Sequence, residues 1–305
     1  MSRAYVVEAS RRVVWAALAA LVVALAIASP AAAVPKGIFG VFAGCPASEV
    51  SESSVLCVYQ RTVGGLVRIG RATVPIDRTI TMQGGAVSSG VVNGLSDLVP
   101  PSGGALLSKT PLEVPGGLNG LVQCGALGGR LAQASCGAAA GTEVTATIEV
   151  VAGAGDPATI SLLSLFTSFN YQFLVLPSRI HLGNAFLGNS CYIGSGSHPI
   201  MLELMFGTTQ PPAPNRPISG NRGTSEEPFE DGLGVLMYAP STLVGNAFSI
   251  PVAEGCGGQF SSLVDLMVDT KLGLPSAAGH NTAILDAEVL ELAAVENVIK
   301  SEEYL

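Results

Sequence analysis

Six cysteines constrain this chain more than any other feature: Cys45, Cys57, Cys124, Cys136, Cys191 and Cys256. Their number is even, and the stretch before them reads as an export signal, so disulfides are expected. Spacing favours Cys45 with Cys57, Cys124 with Cys136, and Cys191 with Cys256, because the first two pairs share an interval of eleven intervening residues. That pairing forbids some structures. Twelve steps along an α-helix part the Cα atoms by about 18 Å, whereas a disulfide tolerates less than about 7 Å. Leu121 to Cys136 therefore cannot be one straight helix, and Gly128-Gly129 is the natural point of reversal. In the first loop, Ser51-Glu52-Ser53-Ser54 supplies the turn. Metal binding through cysteine finds no support. There is no C-x-x-C pair, and His181 and His198 flank Cys191 alone.

The export signal occupies residues 1–33. Arg3, Arg11 and Arg12 give a basic start, Val13 to Ala28 an apolar run of 16 residues, and Ala31-Ala32-Ala33 the small residues a signal peptidase needs. A bilayer requires about 20 apolar residues, so cleavage is expected rather than anchoring. No later stretch is long and apolar enough to span as a helix. Phe42-Ala43-Gly44-Cys45 resembles a lipobox, but Pro30, Pro35 and Lys36 separate it from the apolar run. Lipidation of Cys45 would also leave an odd number of cysteines. The expected location is extracellular or cell wall.

Loss of residues 1–33 removes Arg3, Arg11, Arg12 and Glu8, leaving 12 basic and 22 acidic residues and a net charge of −10. Such a surface repels nucleic-acid phosphates and anionic headgroups. Charged residues are only 12% of the chain and mean hydropathy is +0.48. The chain therefore lies far from disorder, with ample material for a core.

A tetrad is repeated: Gly183-Asn184-Ala185-Phe186 returns as Gly245-Asn246-Ala247-Phe248. Each copy follows an apolar β-like run and precedes a cysteine, Cys191 or Cys256. Gly-Asn is turn chemistry and Phe a core anchor. Two strand-and-loop units clipped by one disulfide are expected. Further strands are expected at 54–61 and 65–73, split by a turn at Gly64-Gly65, and at 73–82, closed by Gly84-Gly85. Others are expected at 142–151, 171–182 (kinked at Pro177), 199–207, 232–238, 241–250 and 281–292. Phe260 to Leu272 carries apolar residues at helical spacing. The fold expected is mostly β: a disulfide-stabilised β-sandwich-like core with one or two short helices over residues 34–292. A subdivision is placed near 153–157, an exposed Pro-rich loop at 208–228 and a tail at 293–305, with a helix over Asp286 to Lys300 as the alternative at that end.

Chemistry is harder to find. No serine sits in Gly-x-Ser-x-Gly. Gly194-Ser195-Gly196-Ser197-His198 reads as a flexible loop, His181 as a strand residue and His280 as part of a turn. Glu226, Glu227, Glu230 and Asp231 gather four carboxylates, which read as a solvated acidic loop because the EF-hand ligand order is absent. The only tryptophan, Trp15, leaves with the signal, so a sugar-stacking cleft has little aromatic material. No catalytic residue, cofactor or metal ligand is named.

Several longer strings carry a resemblance. They are Leu107-Ser108-Lys109-Thr110-Pro111, Val114-Pro115-Gly116-Gly117-Leu118, Cys191-Tyr192-Ile193-Gly194-Ser195, Gly207-Thr208-Thr209-Gln210-Pro211-Pro212 and the run from Gly273 to Thr282. They resemble strings in an uncharacterised family of exported proteins of high-GC Gram-positive bacteria. The resemblance implies export and carries over no functional residue. The function expected is that of a secreted or envelope structural or interaction protein without catalytic activity. It would act through the loop bearing Pro211, Pro212, Glu226, Glu227, Glu230 and Asp231. The alternatives are a carrier of an apolar ligand, an extracellular hydrolase lacking a familiar motif and a pore-forming envelope oligomer. The partner is an unknown protein or an apolar ligand.

Overall fold

Two long antiparallel strands, Val55–Ile69 and Thr282–Ala294, pair over nearly their whole length and carry the rest of the sheet on either side. The computed structural model describes residues 34–47, 55–88, 95–151, 157–167 and 172–304. All of its strands and helices belong to one compact unit, Pro35–Leu305. The expected signal peptide, the Ser51–Ser54 turn and residues 153–156 of the expected boundary lie outside the described residues.

The strands in chain order are β1 (Val55–Ile69), β2 (Ala72–Pro75), β3 (Ile80–Ser88), β4 (Leu95–Val99), β5 (Leu112–Glu113), β6 (Thr145–Val150), β7 (Thr159–Ser161), β8 (Leu174–Gly183) and β9 (Tyr192–Ile193). They continue with β10 (Ile200–Leu204), β11 (Thr224–Glu226), β12 (Phe229–Glu230), β13 (Leu233–Gly234), β14 (Leu236–Ala239), β15 (Ser241–Gly245), β16 (Ala253–Glu254) and β17 (Thr282–Ala294). The helices are α1 (Gly117–Leu121), α2 (Arg130–Ala139), α3 (Leu163–Phe166), α4 (Ser261–Leu272) and α5 (Val295–Tyr304). They number five among the described residues, where the sequence reading expects one or two, and none exceeds 12 residues.

The sandwich-like core is one antiparallel sheet folded over until its hydrogen-bonded path returns to its start. From β17 the path runs through β1, β3, β4, β7, β8 and β10. From β10 it crosses to β15 by paired backbone bonds between Met205 and Val244, each 2.9 Å, and so back to β17. Closure of this kind leaves few exposed edges. Alternation then sorts the side chains. Val58, Gln60 and Thr62 of β1 face inward with Leu290 and Leu292 of β17, all buried. Cys57 and Ala293 face outward, where Phe39, Phe42, Val295 and Val298 cover them. Residues 293–305, expected as a tail, thus hold a packed helix: Val298 is buried, and so is Ser301.

Two pairs of glycines do other work than the turns expected of them. Gly64-Gly65 lies inside β1, just after two register shifts against β17. Gly65 has φ +107°, and a Cβ there would stand 2.0 Å from the Ile284 carbonyl oxygen. Gly84-Gly85 lies inside β3, where a Cβ on Gly84 would stand 2.4 Å from the Val99 carbonyl oxygen. In both cases glycine admits a neighbouring backbone rather than reversing the chain. The chain reverses instead at Gly70-Arg71, between β1 and β2, and the strand expected at 73–82 is interrupted between β2 and β3, which both run antiparallel to β1.

Three disulfides close: Cys45–Cys57 and Cys124–Cys136, each with Cα atoms 5.4 Å apart, and Cys191–Cys256 at 4.1 Å. The first straps the 3-10 turn Gly37–Phe42 to the outer face of β1. The second joins a 3-10 turn at Cys124–Ala126 to α2, with Gly128-Gly129 between them. The third links the chain just before β9 to the chain just after its partner β16. With Cys45 bridged, the lipobox reading has no thiol to act on. Helix α4 lies where its periodicity places it. Val264, Val268 and Leu272 are buried, Leu263 and Met267 pack against the core, and Asp265 and Asp269 accept backbone bonds from Gly255, Cys256 and Ala253.

Candidate functional site: an apolar groove with an acidic rim

The inner face of the sheet is not covered to its end. Leu56, next on that face after Val58, lies with Leu236, Leu292 and Ala294 in the floor of a groove of about 430 Å³. Leu162 and Phe166, at α3, and Phe229, of the β12–β13 hairpin, also line it. Phe166 is 70% exposed and Phe229 67% exposed. Two large aromatic rings left in water along one groove are the kind of exposed apolar surface that marks contact sites. Deeper on the same face, Gln60 and Thr62 line a void of about 30 Å³. That is room for about one water, not for a ligand.

Local chemistry explains how these rings are held. Asp231-Gly232 forms the two-residue loop between β12 and β13, with φ values of 52° and 81°. Asp-Gly is the standard chemistry for such a hairpin. The Phe229 ring folds back against Gly234. The Glu230 carboxylate accepts a bond from the Ile38 backbone N–H at 2.8 Å, tying the hairpin to the N-terminal 3-10 turn. Arg222 donates from Nη1 to the Leu165 carbonyl and so fixes α3. Its guanidinium also lies 5.9 Å from the centre of the Tyr238 ring. Burial raises the Tyr238 phenol above its ordinary range; Arg222 opposes the rise and Glu227 reinforces it.

The residues expected on the surface loop divide into two groups. Glu226 and Glu227 are exposed, and Glu227 lines the groove. Glu230 and Asp231 serve the hairpin, the first by holding Ile38 and the second by making the turn. Pro211 is half-buried and Pro212 exposed, and neither lines the groove. The Pro-rich segment itself is anchored rather than adrift. The side chain of Asn215 accepts from Arg68 at 2.7 Å and donates to the carbonyls of Asn246 and Asn281 at 3.0 and 2.7 Å. Thr209 exchanges bonds with Ile218 across its neck. The groove lining draws on β1, β14, β17, α3 and the hairpin, and only topology brings these together. In the sequence only Phe229, in an otherwise acidic stretch, is out of character.

The remaining candidates do not assemble. His198 is exposed, and its Nδ1 lies 3.1 Å from Ser197 Oγ with no carboxylate bonded to it among the described residues. His280 is exposed, and no described residue hydrogen-bonds its ring. His181 stacks on Tyr192 at 4.9 Å, and Arg179 caps the same Tyr192 ring while bonding Glu149. Among the described residues no group of three or more His, Cys, Asp or Glu side chains is placed to hold a metal ion. No helix among them is long and apolar enough to cross a membrane.

No family model matches the chain, and no curated protein or solved structure matches it either.

Proposed function

We propose that this is an extracytoplasmic binding protein without catalytic chemistry, and that its groove receives an apolar segment of another polypeptide flanked by basic residues. The observation that carries the reading is the pair of exposed rings, Phe166 and Phe229, lining one groove with Leu56, Leu236 and Leu292. Charge argues for the flanks. Glu226 and Glu227 are exposed beside the groove, the chain as a whole carries −8, and the nearby Arg222 is taken up by Leu165. Backbone geometry argues for an extended segment. Among the described residues β11 pairs only with β14 and ends the hydrogen-bonded path, which leaves its other edge for a further strand. Three disulfides and the resemblance to exported proteins support a location outside the cytoplasm.

The carrier reading draws support from the Leu and Phe lining, but a carrier encloses most of its ligand. Here the void beside Gln60 and Thr62 is small and the groove is open. Selection of a random-peptide library on the oxidised protein tests the proposal. Enrichment of sequences with Leu or Phe anchors beside Lys or Arg is expected, and a Phe166→Ser/Phe229→Ser variant should not enrich them. No enrichment, or the same enrichment on the variant, would refute it. Copurifying lipid in a native mass spectrum would favour the carrier instead.

A further inference from the structure

A second pocket lies away from the groove and shares no residue with it. It measures about 380 Å³, and its lining includes Gln172, Glu203, Thr208, Thr209, Gln210 and Asn246. Its character is the reverse of the groove's. There is no aromatic residue in the lining, and no lysine, arginine or histidine. An anion would meet the Glu203 carboxylate with no cation to balance it, so anions are disfavoured.

The second Gly-Asn-Ala-Phe copy builds the floor. Gly245 and Ala247 also line the pocket. A Cβ on Gly245 would stand 2.1 Å from the Glu203 carbonyl oxygen, so glycine is what lets β15 and β10 close up beneath it. Asn246 is only 2% exposed. Its Nδ2 donates to the Arg216 carbonyl at 2.8 Å, while its own carbonyl accepts from Asn215 at 3.0 Å. Its Oδ1 is buried and has no donor among the described residues. Buried acceptors are normally paired, and one left unpaired is a place where a donor is missing. At the rim, Glu203 Oε2 accepts from Gln172 Nε2 at 2.5 Å, and Oε1 bonds no described residue. Thr209 is committed to Ile218, which leaves the amides of Gln172 and Gln210 as the adaptable polar groups.

We propose that this pocket binds a small hydroxylated compound bearing an ammonium group. Glu203 takes the ammonium, and the amide groups of the wall take the hydroxyls. Charge-assisted pairing with a carboxylate exceeds a neutral hydrogen bond about twofold in strength, so charge should decide among ligands of one shape.

Three probes with the same six-carbon polyol chain separate the possibilities: N-methylglucamine is a cation, sorbitol is neutral and gluconate is an anion. Titrations of the oxidised full chain, followed by amide NMR shifts, should rank them in that order, with the shifts centred on Gly245, Ala247 and Gln210. Glu203→Gln should weaken N-methylglucamine about tenfold and leave sorbitol unchanged. Glu113→Gln, on β5, serves as the control for the diffuse attraction of a negatively charged protein and should change neither. The proposal is overturned if no probe shifts the pocket amides, if gluconate binds as well as N-methylglucamine, or if the control loses as much affinity as Glu203→Gln. Because Asn246→Ala also removes the bond to Arg216, the outcome is read from Glu203→Gln, whose side chain is half-buried at the rim.

Discussion

Gly183 ends β8 and Gly245 ends β15, so both copies of the repeated tetrad begin in the same way. They then diverge. In the first copy the Asn184 side chain bonds its own loop on one side and, on the other, residues 42 and 41 positions earlier in the chain. Its Oδ1 accepts from the Phe186 N–H at 2.8 Å, its Nδ2 reaches Thr142 and Glu143, and Phe186 stays half-buried. In the second copy Asn246 and Phe248 are both buried, and Asn246 bonds a loop 30 residues earlier in the chain. Four identical residues thus make a more exposed turn in one place and a buried anchor in the other. The tetrad fixes where a strand stops; the surroundings decide what its side chains hold.

That contrast can be broken in several ways. The largest effect belongs to the bridge downstream of both copies. Replacing Cys191 and Cys256 by serine should lower the unfolding free energy by about 4 kcal/mol, as the chain-entropy model gives for a loop of this length. Denaturant unfolding measures it, and a loss below about 1 kcal/mol would show that the units are held mainly by packing. Next come the phenylalanines. Phe248→Ala should cost about 3 to 4 kcal/mol and Phe186→Ala about half that or less; equal losses would erase the distinction between anchor and turn.

Asn246→Ala should cost about 1.5 kcal/mol and Asn184→Ala about 0.5, since the second bond set is nearer to solvent. The smallest effect depends on pH and touches only the second unit. Asp269 accepts from Ala253, just beyond that copy. Burial raises its pKa, the Ala253 bond opposes the rise and Asp265 adds to it. A carboxyl whose folded pKa lies above its unfolded value holds its proton more tightly when folded. Its contribution to stability is therefore fully present below pH 3.8 and is lost as pH rises through the folded value. Asp269→Asn, which keeps an acceptor for Ala253, should be neutral near pH 3 and slightly stabilising at pH 7. Thermal melts at the two pH values decide it, and a variant less stable at pH 7 would show that the charge itself is favourable.

Much of the scaffold was legible. The equal eleven-residue intervals pointed to two sulfur bridges, and the periodicity of Leu263, Val264, Met267, Val268 and Leu272 to α4. These signals are local and need no topology. The failures share a cause. Gly64-Gly65 and Gly84-Gly85 look like turns because glycine marks both turns and close backbone approach, and only the partner strand tells which. Residues 293–305 look like a tail because Val295 and Val298 find their partners at Phe39 and Phe42, at the other end of the chain. The groove was invisible for the same reason: Leu56, Phe166, Phe229 and Leu292 become neighbours only when the sheet closes.

The binding account is tested most directly by mapping where a peptide with Leu or Phe anchors and Lys or Arg flanks settles on the folded protein. Amide NMR shifts during titration should concentrate on Leu56, Phe166, Phe229, Leu236 and Leu292, with β11 gaining protection from hydrogen exchange along its open edge. Shifts that gather elsewhere, or a β11 edge that exchanges as fast with peptide as without, would contradict it.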